Sequence, residues 1–301
     1  MATIVLNYLF TLHAHFYTKM QVIKHINDLR AIINLKRKEG LSIGFVPTMG
    51  ALHEGHLSLV RNAGQQTGCV VVSIFVNPTQ FNDKGDLERY PRTLSKDVDL
   101  LMTTSCELVF APEAEEIYPE PDTRQFDFGE LEQVMEGKFR PGHFNGVAQV
   151  VSRLFDIVEP DKAFFGQKDF QQLAIIKEMV RKLKLPVEVI SCPIIRESDG
   201  LAMSSRNMLL TPEQRQNAVH ISATLFEAEN KAAELSVKDL CQWVISRINE
   251  NEYLNTEYFE IVNEESLQPV KNWNDAGNKV GCIAVHCGKI RLIDNVVFRN
   301  T

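Results

Sequence analysis

Two short clusters of polar side chains have the types and spacing to do chemistry. The first is His53-Glu54-Gly55-His56, two imidazoles three residues apart with a glycine between them. It follows an apolar run, LSIGFVP (41–47), and leads into a stretch of helical periodicity, so it sits at the mouth of a predicted helix. A helix N-terminus offers unpaired N–H groups and a partial positive charge, which suits phosphate. Gly55 lets the backbone approach a nucleotide closely. Two histidine donors can then stabilise charge developing on an α-phosphate during in-line attack. Two other readings compete: a turn in which two histidines happen to fall, and a zinc site. Zinc proteases of the H-E-x-x-H pattern place their histidines four apart on one helix; here the spacing is three, across a turn, with no third ligand evident.

The second cluster, Met203-Ser204-Ser205-Arg206-Asn207, lies in a polar loop about 150 residues later. Two hydroxyls and a guanidinium can close over polyphosphate oxygens, the arginine supplying planar paired donors. Alone, the pattern reads more simply as a solvated loop.

The elements that must position these clusters follow from periodicity. Val22, Ile23, Ile26, Leu29, Ile32, Ile33 and Leu35 recur at helical spacing up to Glu39-Gly40, predicting one helix after Met20. CVVVSIFV (69–76) lacks polar alternation, as a central parallel strand covered on both faces does. ELVFAP (107–112), DKAFFG (161–166) and PVEVIS (186–191) read as further strands, with helices near 93–104, 143–158 and 169–183. Strands alternating with helices imply an α/β fold, a Rossmann-like, doubly wound parallel sheet over residues 20–194, whose ligands bind beyond the strand ends. Past residue 195 the texture changes. Thr211-Pro212-Glu213-Gln214 carries a cap, a proline at the first helical position and a capping box. A helix near 236–250 and three strand-like runs, EYFEIVN, VGCIAVHCG and KIRLIDNVVF, complete a smaller C-terminal α+β domain, 195–301, expected to act as a lid. Residues 1–19 lack the basic start and cleavage site of a signal peptide and are too short and polar to span a bilayer. They read as an upstream extension, with the functional chain beginning at Met20.

The order and spacing of the two clusters resemble the nucleotidylyltransferase superfamily, which shares its sheet with class I aminoacyl-tRNA synthetases. Six segments narrow this: PTMGALHEGH (47–56), SIFVNPTQF (73–81), YPRT (90–93), RPGHFNGV (140–147), FGQKDFQQL (165–173) and DGLAMSSRN (199–207). In order and spacing they resemble the pantothenate synthetase (pantoate–β-alanine ligase) family, and the resemblance extends over 20–301. It implies ATP-dependent ligation of pantoate and β-alanine through a pantoyl-adenylate, releasing pyrophosphate and AMP. By position, it implies that His53 and His56 act on the α-phosphate and Lys168 on the departing pyrophosphate. Asp169 would bind the ribose, with Gly166 and Pro47 against the nucleotide. Ser204, Ser205 and Arg206 would close over the β- and γ-phosphates. Met49 would touch both nucleotide and pantoate, and Gln80 and Gln172 would grip pantoate.

Arg140, His143 and Asn77 fall near the implied cavity, although Asn77 also reads as a turn residue before Pro78 and His143 as a helix start. Magnesium is expected with ATP, with Asp97 as a candidate ligand, and no tightly bound organic cofactor is implied. Gln167 departs from the glutamate many relatives carry. The family also implies a homodimer. Two alternatives stand beside this reading. One is a nucleotidylyltransferase acting on a cofactor precursor, which would lack FVNPTQF and FGQKDFQQ. The other is a non-catalytic nucleotide-binding regulator, which would be expected to have lost its reactive side chains.

Composition is compatible with all of this. A chain of 301 residues suits two domains, and 44% hydrophobic residues suffice for a core without staples. A net charge of -7 argues against a broad nucleic-acid surface, and no segment reads as a membrane span. The six cysteines show no paired spacing and read as buried thiols in a reducing cytoplasm.

Overall fold

Six apolar runs pair into one parallel sheet in the computed structural model, which describes residues 20–81 and 84–298. The expected upstream extension, residues 1–19, lies outside the described residues. The chain runs β1 (Gln21–Ile23), α1 (Ile26–Lys38), β2 (Ile43–Thr48), α2 (Glu54–Gln66) and β3 (Cys69–Ile74). It continues through α3 (Leu94–Leu101), β4 (Cys106–Phe110), α4 (Met135–Phe139), α5 (His143–Val158), β5 (Lys162–Gly166), α6 (Phe170–Leu183) and β6 (Glu188–Cys192). The strand order is β1-β4-β3-β2-β5-β6. From β2 the chain winds first outward through β3 and β4, then crosses to β5 and β6 on the other side. The winding therefore reverses between β2 and β5, which pair through Gly44↔Lys162 and Phe45↔Ala163. Diverging crossovers leave a crevice at the C-terminal ends of those two strands.

Both faces of the sheet are covered, which explains the missing polar alternation. Phe45, Val71 and Phe165 pack on one side with Leu29, Leu154 and Ile176, while Val46, Val72 and Phe164 pack on the other with Val60 and Ala63. Successive side chains of a strand point to opposite faces, so a doubly covered strand must be apolar throughout.

One expectation is corrected. Val22 and Ile23 belong not to the first helix but to β1, an edge strand paired with Val109 and Phe110 of β4. A short apolar run fits either period, and pairing with a neighbouring strand decided it. His25 then caps α1.

The remaining chain builds α7 (Pro212–Lys231), α8 (Val237–Asn249) and an antiparallel sheet, β7 (Leu254–Asn263), β8 (Lys279–Cys287) and β9 (Ile290–Phe298), in the order β7-β8-β9. Thr211 and Gln214 form the expected capping box on α7. One face of this sheet packs on α7 and α8 through Ile221, Leu225, Val244 and Ile283. The other face, Tyr258, Val280 and Cys282, packs on Met135 of α4, so the two units share a small apolar core. All six cysteines are free thiols, and five are buried.

Candidate active site

The end of β2 is bent by two consecutive residues with positive φ, Gly50 at 80° and Ala51 at 49°. That conformation turns the N–H groups of Ala51 and Leu52 to one side, where the Asp97 carboxylate of α3 accepts them at 3.0 and 2.8 Å. Thr93 also donates its hydroxyl to Asp97 at 3.2 Å. Asp97 is 1% exposed. The turn so held delivers His53 to the N-cap of α2. The Nδ1 of His53 accepts from the Gly55 N–H at 3.1 Å, and the Nδ1 of His56 accepts from the His53 N–H at 3.3 Å. The two imidazoles thus form a reciprocal capping box, with ring centroids 4.1 Å apart.

At the end of β5, Gly166 has no atom besides its chain neighbours within 4 Å of where a Cβ would stand, and Lys168 and Asp169 follow it into the same cleft. Asp169 is the N-cap residue of α6, but its carboxylate makes no capping bond. Past β6 the chain doubles back as a small hairpin, Arg196 pairing with Ala202, and Met203 donates to the Ile195 carbonyl at 3.0 Å. Ser204, Ser205 and Arg206 follow and line the same cleft as the histidines. The Arg206 guanidinium lies 5.8 Å over the Tyr90 ring.

Gln80 closes a single 3-10 turn and donates to the Met49 sulfur at 2.9 Å. Gly146 of α5 lets that turn come close, since a Cβ there would meet the Thr79 carbonyl at 2.5 Å. Asn77 is buried and saturated: it donates to the Gly146 carbonyl and accepts from Tyr118 and Thr79. Pro47, Met49, Asn77 and Gln80 from the β2–β3 side, and Gln172 from α6, complete the lining. Arg140 and His143 lie outside this cleft, in a smaller recess that shares Lys168, Asp169 and Gln172 with it.

The sequence profile of the Pantoate-beta-alanine ligase family matches residues 21–297. The chain belongs to the pantoate–β-alanine ligase family. A pantothenate synthetase from Bacteroides thetaiotaomicron is 54% identical over 280 residues, 93% of this chain and 99% of that one. A crystal structure of pantothenate synthetase from Thermus thermophilus superposes with a TM-score of 0.86 at 42% identity, covering 92% of this chain and 99% of that one. A second, the pantoate-β-alanine ligase from Francisella tularensis complexed with β-γ ATP and β-alanine, superposes with a TM-score of 0.74 at 34% identity, covering 94% and 99%.

Within this pantoate–β-alanine ligase fold, burial and neighbouring charge set the protonation of the site. Burial lowers His53 to about 3, with His56 and Lys168 adding to the effect, and burial together with Lys168 lowers His56 to about 4. Both rings are therefore neutral at pH 7. Because each Nδ1 already accepts a backbone N–H, the single proton of each neutral ring sits on Nε2. The pair presents two uncharged N–H donors with a fixed tautomer. His143 is lowered to about 4 by burial and by Arg140. It bridges the Gln80 carbonyl at 2.8 Å and Arg140 at 3.1 Å, so it holds the Gln80 turn from behind.

Several of these residues also make contacts that hold the site together. Asp97, raised for magnesium, is buried, and both its carboxylate oxygens accept from the 51–52 turn. Asn77 acts as the cap of its turn. Gly55 is required by its own neighbour, since a Cβ would stand 2.8 Å from the His53 ring. Ser205 donates its hydroxyl to the Ala51 carbonyl, and Ser204 accepts from the Arg206 N–H as a cap. Sequence reasoning assigned no part to Tyr90, although YPRT marked the place. It gave no sign of Asp294 and Asn295, which reach the site only through the fold.

Proposed function

We propose that this chain joins pantoate to β-alanine at the expense of ATP, through a pantoyl-adenylate, with release of pyrophosphate and AMP. One observation carries this reading: His53, His56, Lys168, Ser204, Ser205, Arg206, Gln80 and Gln172, from four distant segments, border one cleft at the point where the sheet reverses its winding. The triphosphate lies between the α2 N-terminus and the 204–206 segment. The Nε2–H groups of His53 and His56 donate to the α-phosphate oxygens as a pantoate carboxylate oxygen attacks phosphorus and the bond to the β-phosphate oxygen breaks. Lys168 meets the charge that moves onto pyrophosphate. Pantoate is already a carboxylate at neutral pH, so this step needs no general base. Gln80 and Gln172 hold it through neutral amides, which leave the nucleophile its charge. The β-alanine nitrogen then attacks the acyl carbon, and the bond to AMP breaks.

Asp169, whose carboxylate is not used as a cap, accepts from the ribose hydroxyls. Gly166 and Pro47 admit the nucleotide, and Met49 lies between it and pantoate. Arg140 and His143 act from the adjoining recess, and Asn77 shapes the Gln80 turn. Magnesium enters as the ATP complex, bound by phosphate oxygens and water. The 195–301 unit serves as the lid over residues 20–194. The same reading carries a homodimer in the cytoplasm; among the described residues no helix is long and apolar enough to cross a membrane.

Purified protein given ATP, magnesium, pantoate and β-alanine is expected to form AMP and pantothenate in equal amounts, and to exchange labelled pyrophosphate into ATP only when pantoate is present. Exchange without pantoate, or none with it, would overturn the assignment.

A further inference from the structure

Strand β9 belongs to the second unit, yet two consecutive residues in it reach both segments that face the phosphates. Asp294 is 4% exposed and receives a two-pronged pair from Arg196, at 2.7 and 3.0 Å. Arg196 stands at the base of the hairpin that ends in Ser204–Arg206. It also donates to the carbonyl of Gly200 at 3.1 Å and lies 4.8 Å over the Phe226 ring. Asn295, also 4% exposed, directs its amide nitrogen to the carbonyls of Gln167 and Lys168, at 2.9 and 3.0 Å. These carbonyls lie between the end of β5 and the start of α6, beside Gly166, where no strand or helix supplies them with donors.

We propose that Asp294 and Asn295 form a clasp that registers the Lys168 segment against the Ser204–Arg206 segment, making both of them positioning residues for the triphosphate. The proposal rests on the ATP reading of the cleft. Asparagine suits the place because a short, neutral side chain brings two N–H donors to two carbonyls. An aspartate there would face two carbonyl oxygens with its own, and Lys168 would be displaced. Displacements of about 1 Å at a reacting group can cost roughly a hundredfold in rate. The clasp touches no substrate, so its effect must pass through Lys168 and through the hairpin.

Pantoate-dependent pyrophosphate exchange by the full chain tests this, with thermal unfolding followed in parallel. Asn295→Asp is expected to lower kcat by about thirtyfold while changing the KM for pantoate less than about threefold, because the displaced group is Lys168 and not a pantoate contact. On a Lys168→Ala background the same change is expected to cost less than about threefold, since the group it positions is gone. Should Asn295→Asp fail to fold, Asn295→Ser, which keeps one donor, carries the same double-variant comparison. Asp294→Asn, which weakens the pair with Arg196, is expected to raise the KM for ATP at least about fivefold with Lys168 in place. Full additivity with Lys168→Ala, or wild-type kinetics in the variants, overturns the clasp while leaving the ligase reading intact. A wild-type protein inactive in exchange overturns both.

Discussion

The Ser205 hydroxyl donates to the Ala51 carbonyl at 3.0 Å, joining residues 154 apart in the chain. Ala51 is one of the two left-handed residues that bend β2 into its turn, and Ser205 is the middle of the segment that lines the same cleft as the histidines. The bond ties the second cluster of polar residues directly to the first. Ser205→Ala is expected to lower stability by about 1 kcal/mol and to slow pantoate-dependent pyrophosphate exchange. Urea unfolding measures the first effect. Unchanged stability would mean that the tie contributes nothing.

Asp97→Asn keeps the shape of the side chain but turns one N–H toward a backbone N–H of the 51–52 turn. A stability loss of about 2 kcal/mol is expected, with reduced exchange activity. The magnesium concentration giving half-maximal rate should not move, because Asp97 lies behind the turn. A large shift in that concentration would return Asp97 to the metal.

His53→Ala and His56→Ala each remove one donor proposed for the α-phosphate and one half of the capping box. A fall in rate of roughly a hundredfold or more is expected for each, with about 1 kcal/mol of stability lost with the cap. Near-normal turnover in both variants would remove the pair from the chemistry.

The same histidines bear on pH. Their folded pKa values, about 3 and about 4, lie below the ordinary 6.5, as does that of His143 at about 4. Between those values and 6.5 the unfolded chain binds more protons than the folded one. The stability they contribute is complete above about 6.5 and is lost as pH falls through about 4 and, for His53, toward about 3. Exchange activity, by contrast, should be flat from about pH 6.5 to 8, because the Nε2–H donors belong to neutral rings. A titration midpoint near neutrality in the rate, assignable to either imidazole, would contradict the neutral rings.

Glu136 pairs with Arg291 across the junction of the two units, at 2.6 and 2.7 Å, and accepts from Tyr258 at 2.7 Å. Burial opposes its ionisation, but Arg291 and Tyr258 outweigh it and hold the carboxyl down at about 2. Its stabilising effect is therefore present above the ordinary carboxylate value of 4.5 and disappears as pH falls toward 2. Removing Arg291 leaves Glu136 buried, with only the more distant Arg140 at 3.5 Å and the Tyr258 hydroxyl to meet its charge. Arg291→Met is expected to cost about 3–5 kcal/mol, read by thermal unfolding, and a cost below about 1 kcal/mol would show that the junction does not depend on the pair.

Much of the fold was legible because burial on two sides leaves a plain mark. Phe45 and Val46, or Phe164 and Phe165, serve opposite faces of the sheet, and each must be apolar. The capping box at Thr211 was legible for a similar reason: its partners lie within four residues. Val22 and Ile23 were misread as helix because three residues carry no period of their own. Only the neighbouring Val109 and Phe110 decide between strand and helix.

By itself the sequence determined which side chains are available and which local conformations hold them: the histidines at a helix mouth, the lysine past a strand, the Ser-Ser-Arg loop, the strands and the caps. These rest on interactions within a few residues or on a burial pattern repeated along one element. Tertiary structure decided which of them meet. The reversal of winding between β2 and β5 brings His53 and Lys168 to one crevice, and residues far away in sequence, Asp97, Ser205 and Asn295, fix the turns that carry them. A backbone N–H or carbonyl is the same group whatever its residue, so nothing in the local sequence of a turn announces the distant side chain that will satisfy it.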